Sequence, residues 1–137
     1  MNRYRDIDRI GAIIIRDKKL LLVTGSGTGY FWTPGGKREK EESHIDALKR
    51  EIDEEMSVKI NVKDKEPYIS YYDVRETIFY PIQNYCYLAD FQGEIVINDE
   101  IEEHKWFTKE DFFGNDYNFL NSIKKILVPK LIEDGLL

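Results

Sequence analysis

The chain of 137 residues has the length of one domain with a sizeable core, and a composition of 42% hydrophobic and 34% charged residues is typical of a globular protein. Its 20 basic and 26 acidic side chains give a net charge of −6. This charge argues against a general affinity for a nucleic-acid backbone or an anionic membrane, so we expect neither as a partner. An acidic protein of this kind would need cations to act on phosphate groups.

Cysteine usage and the N-terminal residues bear on location. The single Cys86 excludes an internal disulfide and fits a reducing compartment. Residues 1–8 are polar and charged, and no later stretch approaches the length of a membrane span. We therefore expect a cytoplasmic protein, with monomer and homodimer both open.

The first part of the chain predicts a hairpin followed by two glycine-containing breaks. Aliphatic runs at 9–15 and 20–24 flank a short polar turn, as in paired strands. Gly-Ser-Gly-Thr-Gly at 25–29 matches neither the dinucleotide-binding fingerprint nor the P-loop, so we interpret it as a flexible connection. Pro-Gly-Gly at 34–36 marks a second break before a charged segment.

The remainder predicts two principal helices with strands between them. Residues 43–56 have helical periodicity, with Ser43 as a candidate N-cap and Asp46 in the third helical position. Strands are predicted at 58–62, 68–72, 77–91, 94–97 and 105–108. The run at 77–91 is largely apolar on both faces and therefore central. A last helix is predicted at 118–133, in which Pro129 should cause a kink or end the first part. This order indicates an α/β (α+β) domain whose mixed sheet is covered on both sides.

The first helix concentrates acidic residues on one side. At 100° per residue, Glu51, Glu54 and Glu55 share an arc of about 100°, directly beside the apolar face. Such charges would lie at the rim of the core, where an unpaired charge is costly, and Arg50 alone does not neutralise them. A solvated helix face is the alternative. An all-oxygen cluster next to a glycine turn favours a hard divalent cation, above all Mg²⁺.

A longer motif contains these glutamates. It consists of Gly36, five residues, Glu42, seven residues, and then Arg50-Glu51-Ile52-Asp53-Glu54-Glu55-Met56-Ser57-Val58. This segment, 36–58, resembles the box of the Nudix hydrolases, MutT-like enzymes that cleave nucleoside diphosphates linked to another moiety. Ser57 is the one departure, because the family has glycine there. A serine in the left-handed conformation often found at a helix exit would cost about 1 kcal/mol.

The resemblance implies one domain over 1–137 with the Nudix-type α/β/α sandwich, in which a mixed β-sheet lies between helices. It implies Mg²⁺-dependent (or Mn²⁺-dependent) hydrolysis of a pyrophosphate linkage in a nucleotide-type small molecule. The implied metal-binding residues are Glu51, Glu54, Glu55 and Gly36. Arg50 would orient the glutamates, with Glu42 as a further ligand or as a partner that supports the ligands.

The proton acceptor stays open between three glutamates. Glu51 is one candidate from the box itself. A second acidic run at 99–103 precedes Trp106, where several family members place a loop glutamate that acts as base or extra ligand. Glu100 is the first choice by its spacing from Trp106, and Glu103 is the second. An acidic solvated loop explains the same run without any catalytic role.

Substrate choice rests on weaker features. The proline that ADP-ribose-type members tend to carry beyond the box is absent, since Asp73 and Val74 stand there. In its short chain and in Asn118 the protein resembles the triphosphate pyrophosphatases that remove oxidised purine nucleotides. An N-cap explains Asn118 equally well or better. Trp32, beside the box, is a further candidate for substrate binding. ADP-ribose, dinucleoside polyphosphates and nucleotide sugars are the alternative substrates.

Two other classes of protein are compatible with parts of this pattern. A non-catalytic Nudix-like nucleotide-binding module would share the fold, but such domains commonly lose glutamates of the box, and none is lost here. A purely structural acidic domain would need no clustered metal ligands and would show no divalent-dependent thermal shift.

Overall fold

Strands make up most of the regular structure, and helices flank them. The computed structural model describes residues 7–73, 81–98 and 100–137. In chain order, the elements are β1 Ile7–Ile13, β2 Ile15–Arg16, β3 Lys19–Gly25, β4 Tyr30–Trp32, β5 Gly35–Lys37, α1 His44–Met56, β6 Lys59–Val62, β7 Ile69–Asp73, β8 Ile82–Gln92, β9 Ile101–Phe107, α2 Lys109–Phe113, β10 Asn118–Phe119, a π-helical segment Ile123–Leu127 and α3 Val128–Glu133.

β8 is the centre of a mixed sheet. β1 runs parallel to β8, and β5 lies antiparallel on the outer edge of β1. β6 and β7 pair antiparallel with β8 on its other edge. The predicted central strand is therefore confirmed for its described part, whereas residues 77–80 of that prediction lie outside the described residues.

A second sheet contains the other half of the predicted hairpin. β3 pairs with β2, β4 and β9, and β10 joins the outer edge of β4. The hairpin is confirmed only for Ile15–Arg16 against β3, because the preceding residues belong to the first sheet. Residues 10–14 are all buried, and a place beside β8 buries both faces of that run, which a hairpin on its own would not.

Helices cover both sides of the strands. Alternate residues of β1, Ile10 and Ala12, pack with the apolar face of α1 in one core cluster. Ile13 packs with the π-helical segment and α3 in a second cluster, which also contains Cys86. This arrangement confirms the expected sandwich of helix, mixed sheet and helix, because successive side chains of a strand point to opposite faces.

The predicted strand at 94–97 is wrong, and the reason lies in α1. The last carbonyls of a helix have no partner within the helix. Here the Val96 amide donates to the Met56 carbonyl at 3.0 Å, and the Asn98 amide donates to the Glu55 carbonyl at 2.8 Å. These amides therefore satisfy carbonyls at the C-terminal end of α1 and do not pair in a sheet.

The C-terminal helix begins later than predicted. Asn118 is opposite Tyr30 in the short β10–β4 pairing, so the N-cap explanation of Asn118 is wrong. The helix changes from π to α geometry between Leu127 and Val128, next to Pro129, which has no N–H to donate. The sequence reading also missed α2, although Thr108 and Asp111 form a capping box at its start.

No helix in the described ranges is long and apolar enough to cross a membrane.

Ser57 allows a direct test of backbone strain. Its φ of 56° and ψ of 32° are left-handed. The glycine of the resembled family at this position led us to expect this conformation. We expect Ser57→Gly to raise the free energy of unfolding by several tenths to about 1 kcal/mol, measured by urea denaturation. Ser57→Ala is the control, because it keeps the strained Cβ and loses only the hydroxyl that accepts from Asn98 Nδ2. A glycine variant less stable than the parent would contradict the strain.

Candidate active site

A cleft with a volume of about 450 Å³ lies along one flank of α1. Its lining residues are Arg9, Ser26, Thr28, Trp32, Gly35, Glu51, Glu54, Glu55, Glu100 and Ile101. The three glutamates of the arc and Glu100 thus line one cavity together with Trp32. A groove of similar size on the opposite flank of α1, lined by Lys49, Asp53 and Lys59 among others, contains none of these four glutamates.

Two glycines let α1 approach β5 closely. A Cβ on Gly36 would lie 2.3 Å from Oε2 of Glu51, so any side chain there would displace that carboxylate. The Gly35 amide donates to Glu55 Oε1 at 2.9 Å. Gly35 has a φ of +145°, and a Cβ there would lie 2.0 Å from the Ile10 carbonyl oxygen. The predicted break at 34–36 is therefore a short strand that needs glycine for both its backbone and its contact with the helix.

Arg50 holds the acidic side chains in place. Its Nε and Nη2 donate to the two carboxylate oxygens of Glu42 at 2.7 and 2.8 Å, which is a bidentate pair. Its Nη1 donates to Glu51 Oε1 at 2.9 Å and lies 3.4 Å from Glu54 Oε2. One guanidinium therefore connects the loop before α1 with two of the three clustered glutamates.

The charged groups of this network shift each other's pKa values. The hydrogen bond from Arg50 lowers the pKa of Glu42 from 4.5 to about 2. The hydrogen bond to Glu42, followed by that to Glu51, raises the pKa of Arg50 above its usual range. Glu42 and Arg50 are therefore both charged at neutral pH.

Glu100 stands across the cleft from α1. Its Oε2 accepts from the Ser26 hydroxyl at 2.7 Å, and its carbonyl accepts from the Ser26 amide at 3.0 Å. A Cβ on Gly25 would lie 2.0 Å from that carbonyl oxygen. The glycine-rich segment at 25–29 thus connects β3 to β4, as predicted, and Ser26 ties it to the residue before β9.

Two of the expected site residues are elsewhere. Glu103 is exposed on β9 opposite Thr24, so that part of the acidic run is strand rather than solvated loop, and it does not line the cleft. Asn118 is exposed on β10 and is likewise outside the lining. The sequence reading missed Arg9, a cation in the cleft wall. The available signal was a charged residue at the edge of an otherwise buried strand.

The donor set suits a divalent metal, although the acids are spread apart. Among the described residues, no three acidic, histidine or cysteine side chains converge closely enough to hold a metal ion. Arg50 engages Glu51 and Glu54, and the Gly35 amide engages Glu55. The chemistry nevertheless fits, because carboxylates such as those of Glu51, Glu54 and Glu55 are the oxygen ligands that Mg²⁺ and Mn²⁺ bind.

The fold and the match to the NUDIX domain model identify a hydrolase that acts on pyrophosphate bonds. The chain belongs to the Nudix family, because the NUDIX domain model matches residues 6–129. The resemblance seen in the sequence is therefore confirmed. Nudix hydrolases act on nucleoside diphosphate-linked small molecules and generally use divalent metal cations.

Several solved structures are similar to this chain. The E. coli ORF135 protein is 26% identical, with 98% of this chain and 95% of that chain covered and a TM-score of 0.78. A MutT NUDIX hydrolase from Burkholderia pseudomallei is 22% identical, with 93% and 98% covered and a TM-score of 0.77. A UDP-X diphosphatase is 20% identical, with 98% and 66% covered and a TM-score of 0.78. The two less identical structures show the fold alone. Comparison with curated proteins gave no match.

The Glu42–Arg50 pair predicts a pH-dependent stability. Because the folded pKa of Glu42 is lowered, its contribution is present above pH 4.5 and is lost as the pH falls towards about 2. We expect Glu42→Gln to be less stable than the parent at pH 7 and to approach the parent's stability as the pH falls through that window. Denaturant unfolding at pH 7 and pH 3 measures this.

Glu39→Gln is the matched control, since Glu39 is an exposed neighbour in the same loop and contacts Glu42 through its backbone amide. It should behave as the parent at both pH values. A Glu42→Gln deficit that stays constant between pH 7 and pH 3 would show that the charge of Glu42 does not stabilise the fold.

Proposed function

We propose that this hydrolase acts on a nucleoside triphosphate, normal or oxidised, in a Mg²⁺- or Mn²⁺-dependent reaction carried out by a single domain over 1–137. The observation that carries the proposal is the glutamate wall of α1, held by Arg50 and by the Gly35 amide, in a cleft that also contains Trp32. A cleft lined by four glutamates repels a polyphosphate unless cations intervene.

The residues that would hold the metal are Glu51, Glu54, Glu55 and Gly36. When bound, the cation neutralises phosphate charge and lowers the pKa of the attacking water. Arg50 fixes Glu51 through its Nη1 and is itself fixed by Glu42, so the two acids keep their orientation as a substrate enters. Water attacks phosphorus, the anhydride P–O bond breaks, and two phosphate-bearing products leave.

Glu100 is the proposed proton acceptor, and Glu51 and Glu103 are the alternatives. Glu100 is supported by its place in the cleft wall, opposite α1. Its hydrogen bond from Ser26 orients the carboxylate and leaves lone pairs for a water molecule. Glu103, exposed on β9, has no such support from its position.

Trp32 offers a face on which a base can stack at the edge of the cleft. ADP-ribose, dinucleoside polyphosphates and nucleotide sugars are the alternative substrates, and the UDP-X diphosphatase has a similar fold. The proline that ADP-ribose-type members tend to carry is absent here. Asp73, one of the two residues at that place, accepts a hydrogen bond from the Ser122 hydroxyl. The other, Val74, lies outside the described residues. A non-catalytic nucleotide-binding module is the alternative of another class.

A hydrolysis screen, in which chromatography separates the two phosphate-bearing products, decides among these substrates. Parent protein is incubated with and without Mg²⁺ and each candidate: nucleoside triphosphates, oxidised purine triphosphates, ADP-ribose, a dinucleoside polyphosphate and a nucleotide sugar. We expect the highest kcat/KM with a triphosphate and no turnover without a divalent cation. A higher value with another candidate would move the assignment to that substrate, and no turnover with any of them would favour the binding module.

Neutralising one glutamate of the arc tests the proposed metal ligands. We expect Glu54→Gln or Glu55→Gln to lower kcat by orders of magnitude, while the melting temperature without metal stays level or rises because repulsion is relieved. Asp53→Asn is the matched control, an exposed acid of the same helix that faces the opposite groove. Near-parent turnover of both glutamine variants at saturating Mg²⁺ would refute the assignment.

Removing the proposed base should have a smaller and different effect. We expect Glu100→Gln to lower kcat by about 10² to 10⁴-fold with a nearly unchanged Mg²⁺ requirement. Glu103→Gln should do less. Ser26→Ala removes the hydroxyl that orients Glu100 and should give a partial loss. Equal pH–rate profiles of Glu100→Gln and the parent would move the base to Glu51 or Glu103.

A further inference from the structure

We propose that Arg9 determines base specificity by donating to an edge of the substrate's base that carries two adjacent hydrogen-bond acceptors, such as guanine O6 and N7. This inference rests on the proposed function, since it concerns the non-phosphate part of the nucleotide in the same cleft. Arg9 lies outside the box at 36–58.

Strand alternation places Arg9 away from the glutamates. Ile10 and Ala12 of β1 pack into the core cluster that contains the apolar face of α1. Arg9 and Gly11 alternate with them and so face the other side of the sheet, as Ile13 does in the second cluster. Arg9 nevertheless lines the same cleft as the α1 glutamates. It is therefore placed for the part of a ligand that extends beyond the phosphates.

The guanidinium of Arg9 is fixed in place but retains donors for a ligand. Its Nη1 donates to Thr33 Oγ1 at 3.0 Å, and its Nη2 donates to the Thr33 carbonyl at 2.6 Å. A Cβ on Gly11 would lie 3.2 Å from Nη1, so glycine opens the space that the guanidinium occupies. Arginine has five N–H donors, and within the described residues Arg9 forms no ion pair.

A second donor lies beside Arg9 and lacks an acceptor. Asn84 on β8 is the register partner of Arg9 on β1, so their side chains leave the sheet on the same face. Asn84 is 5% exposed, and its Nδ2 has no hydrogen-bond partner in the part of the chain that the structure describes. A buried amide without an acceptor is costly, and native proteins retain few of them. A ligand that brings acceptors to Arg9 would bring them next to this amide.

The chemistry of the two side chains selects the base. Arginine recognises guanine through a bidentate contact to O6 and N7, because both atoms are acceptors. Adenine presents N7 beside the N6 amino group, whose hydrogens oppose those of the guanidinium. The unused N–H donors of Arg9 and the Asn84 Nδ2 beside it therefore favour guanine or hypoxanthine, which share the O6 and N7 edge.

Base-modified nucleotides test this assignment. We would measure kcat/KM for GTP, ITP, ATP and 7-deaza-GTP, which lacks the N7 acceptor, and the affinities of the matching diphosphates by isothermal titration calorimetry. The parent should prefer GTP and ITP over ATP and 7-deaza-GTP by roughly 5- to 150-fold. Arg9→Gln should lose most of that preference, because its kcat/KM falls more for GTP and ITP than for ATP and 7-deaza-GTP. Arg16→Gln, on an exposed arginine paired with Asp90, is the control and should keep the preference.

The variants and readouts separate the possible failures. Arg9→Lys retains the charge without the planar fork, so it should lose the preference even if Arg9→Gln does not fold. An equal loss with all four nucleotides would mean that Arg9 binds phosphate and would overturn the proposal. So would a parent without a base preference, or a preference that survives in Arg9→Lys. Diphosphate binding with an Arg9-dependent preference but without hydrolysis would refute the proposed function and leave the role of Arg9 intact.

Discussion

Carboxylates crowded on one helix face repel one another, and Arg50 supplies the charge that lets α1 carry three of them at the edge of the core. The guanidinium also ties α1 to Glu42 in the preceding loop. Because the charged helix face must approach β5 closely, the strand contributes glycine where Glu51 lies against it. The pairing of β5 with β1, and of β1 with the central β8, then fixes where the glutamate wall stands.

The cleft wall carries both signs of charge. Acidic side chains of α1 and Glu100 line it, and so does Arg9, which strand alternation places on the face of β1 opposite Ile10 and Ala12. Both signs of charge suit the proposed substrate, which has a strongly anionic end and a neutral polar end. The glycine-rich turn at 25–29 completes the wall, because its backbone and Ser26 hold the start of β9 in place. The proposed catalytic and recognition groups thus rest on strands, on a capped helix and, for Glu100, on the turn before β9 that Ser26 holds.

Local patterns predicted the parts of the molecule that are locally determined. The helix at 44–56 and its N-cap Ser43 follow from side-chain periodicity and capping chemistry, whereas the left-handed Ser57 follows from the glycine that the Nudix family has at this position, and the structure has all three. The strand predicted at 94–97 is absent because this segment donates hydrogen bonds to the C-terminal end of α1. The N-cap predicted at Asn118 is absent because Asn118 pairs with the open edge of β4. The position of Arg9 could not be predicted either, since strand alternation gives its face only after the partners of β1 are known.

The most direct test of the account is the electron paramagnetic resonance of Mn²⁺ titrated into the protein without nucleotide. The account predicts that the parent binds Mn²⁺ and removes the free-ion signal in proportion to protein, and that Asp53→Asn does the same. The double variant Glu54→Gln/Glu55→Gln should leave the free-ion signal unchanged. Equal Mn²⁺ binding by the double variant and the parent would contradict the claim that the glutamates organised by Arg50 form the metal site.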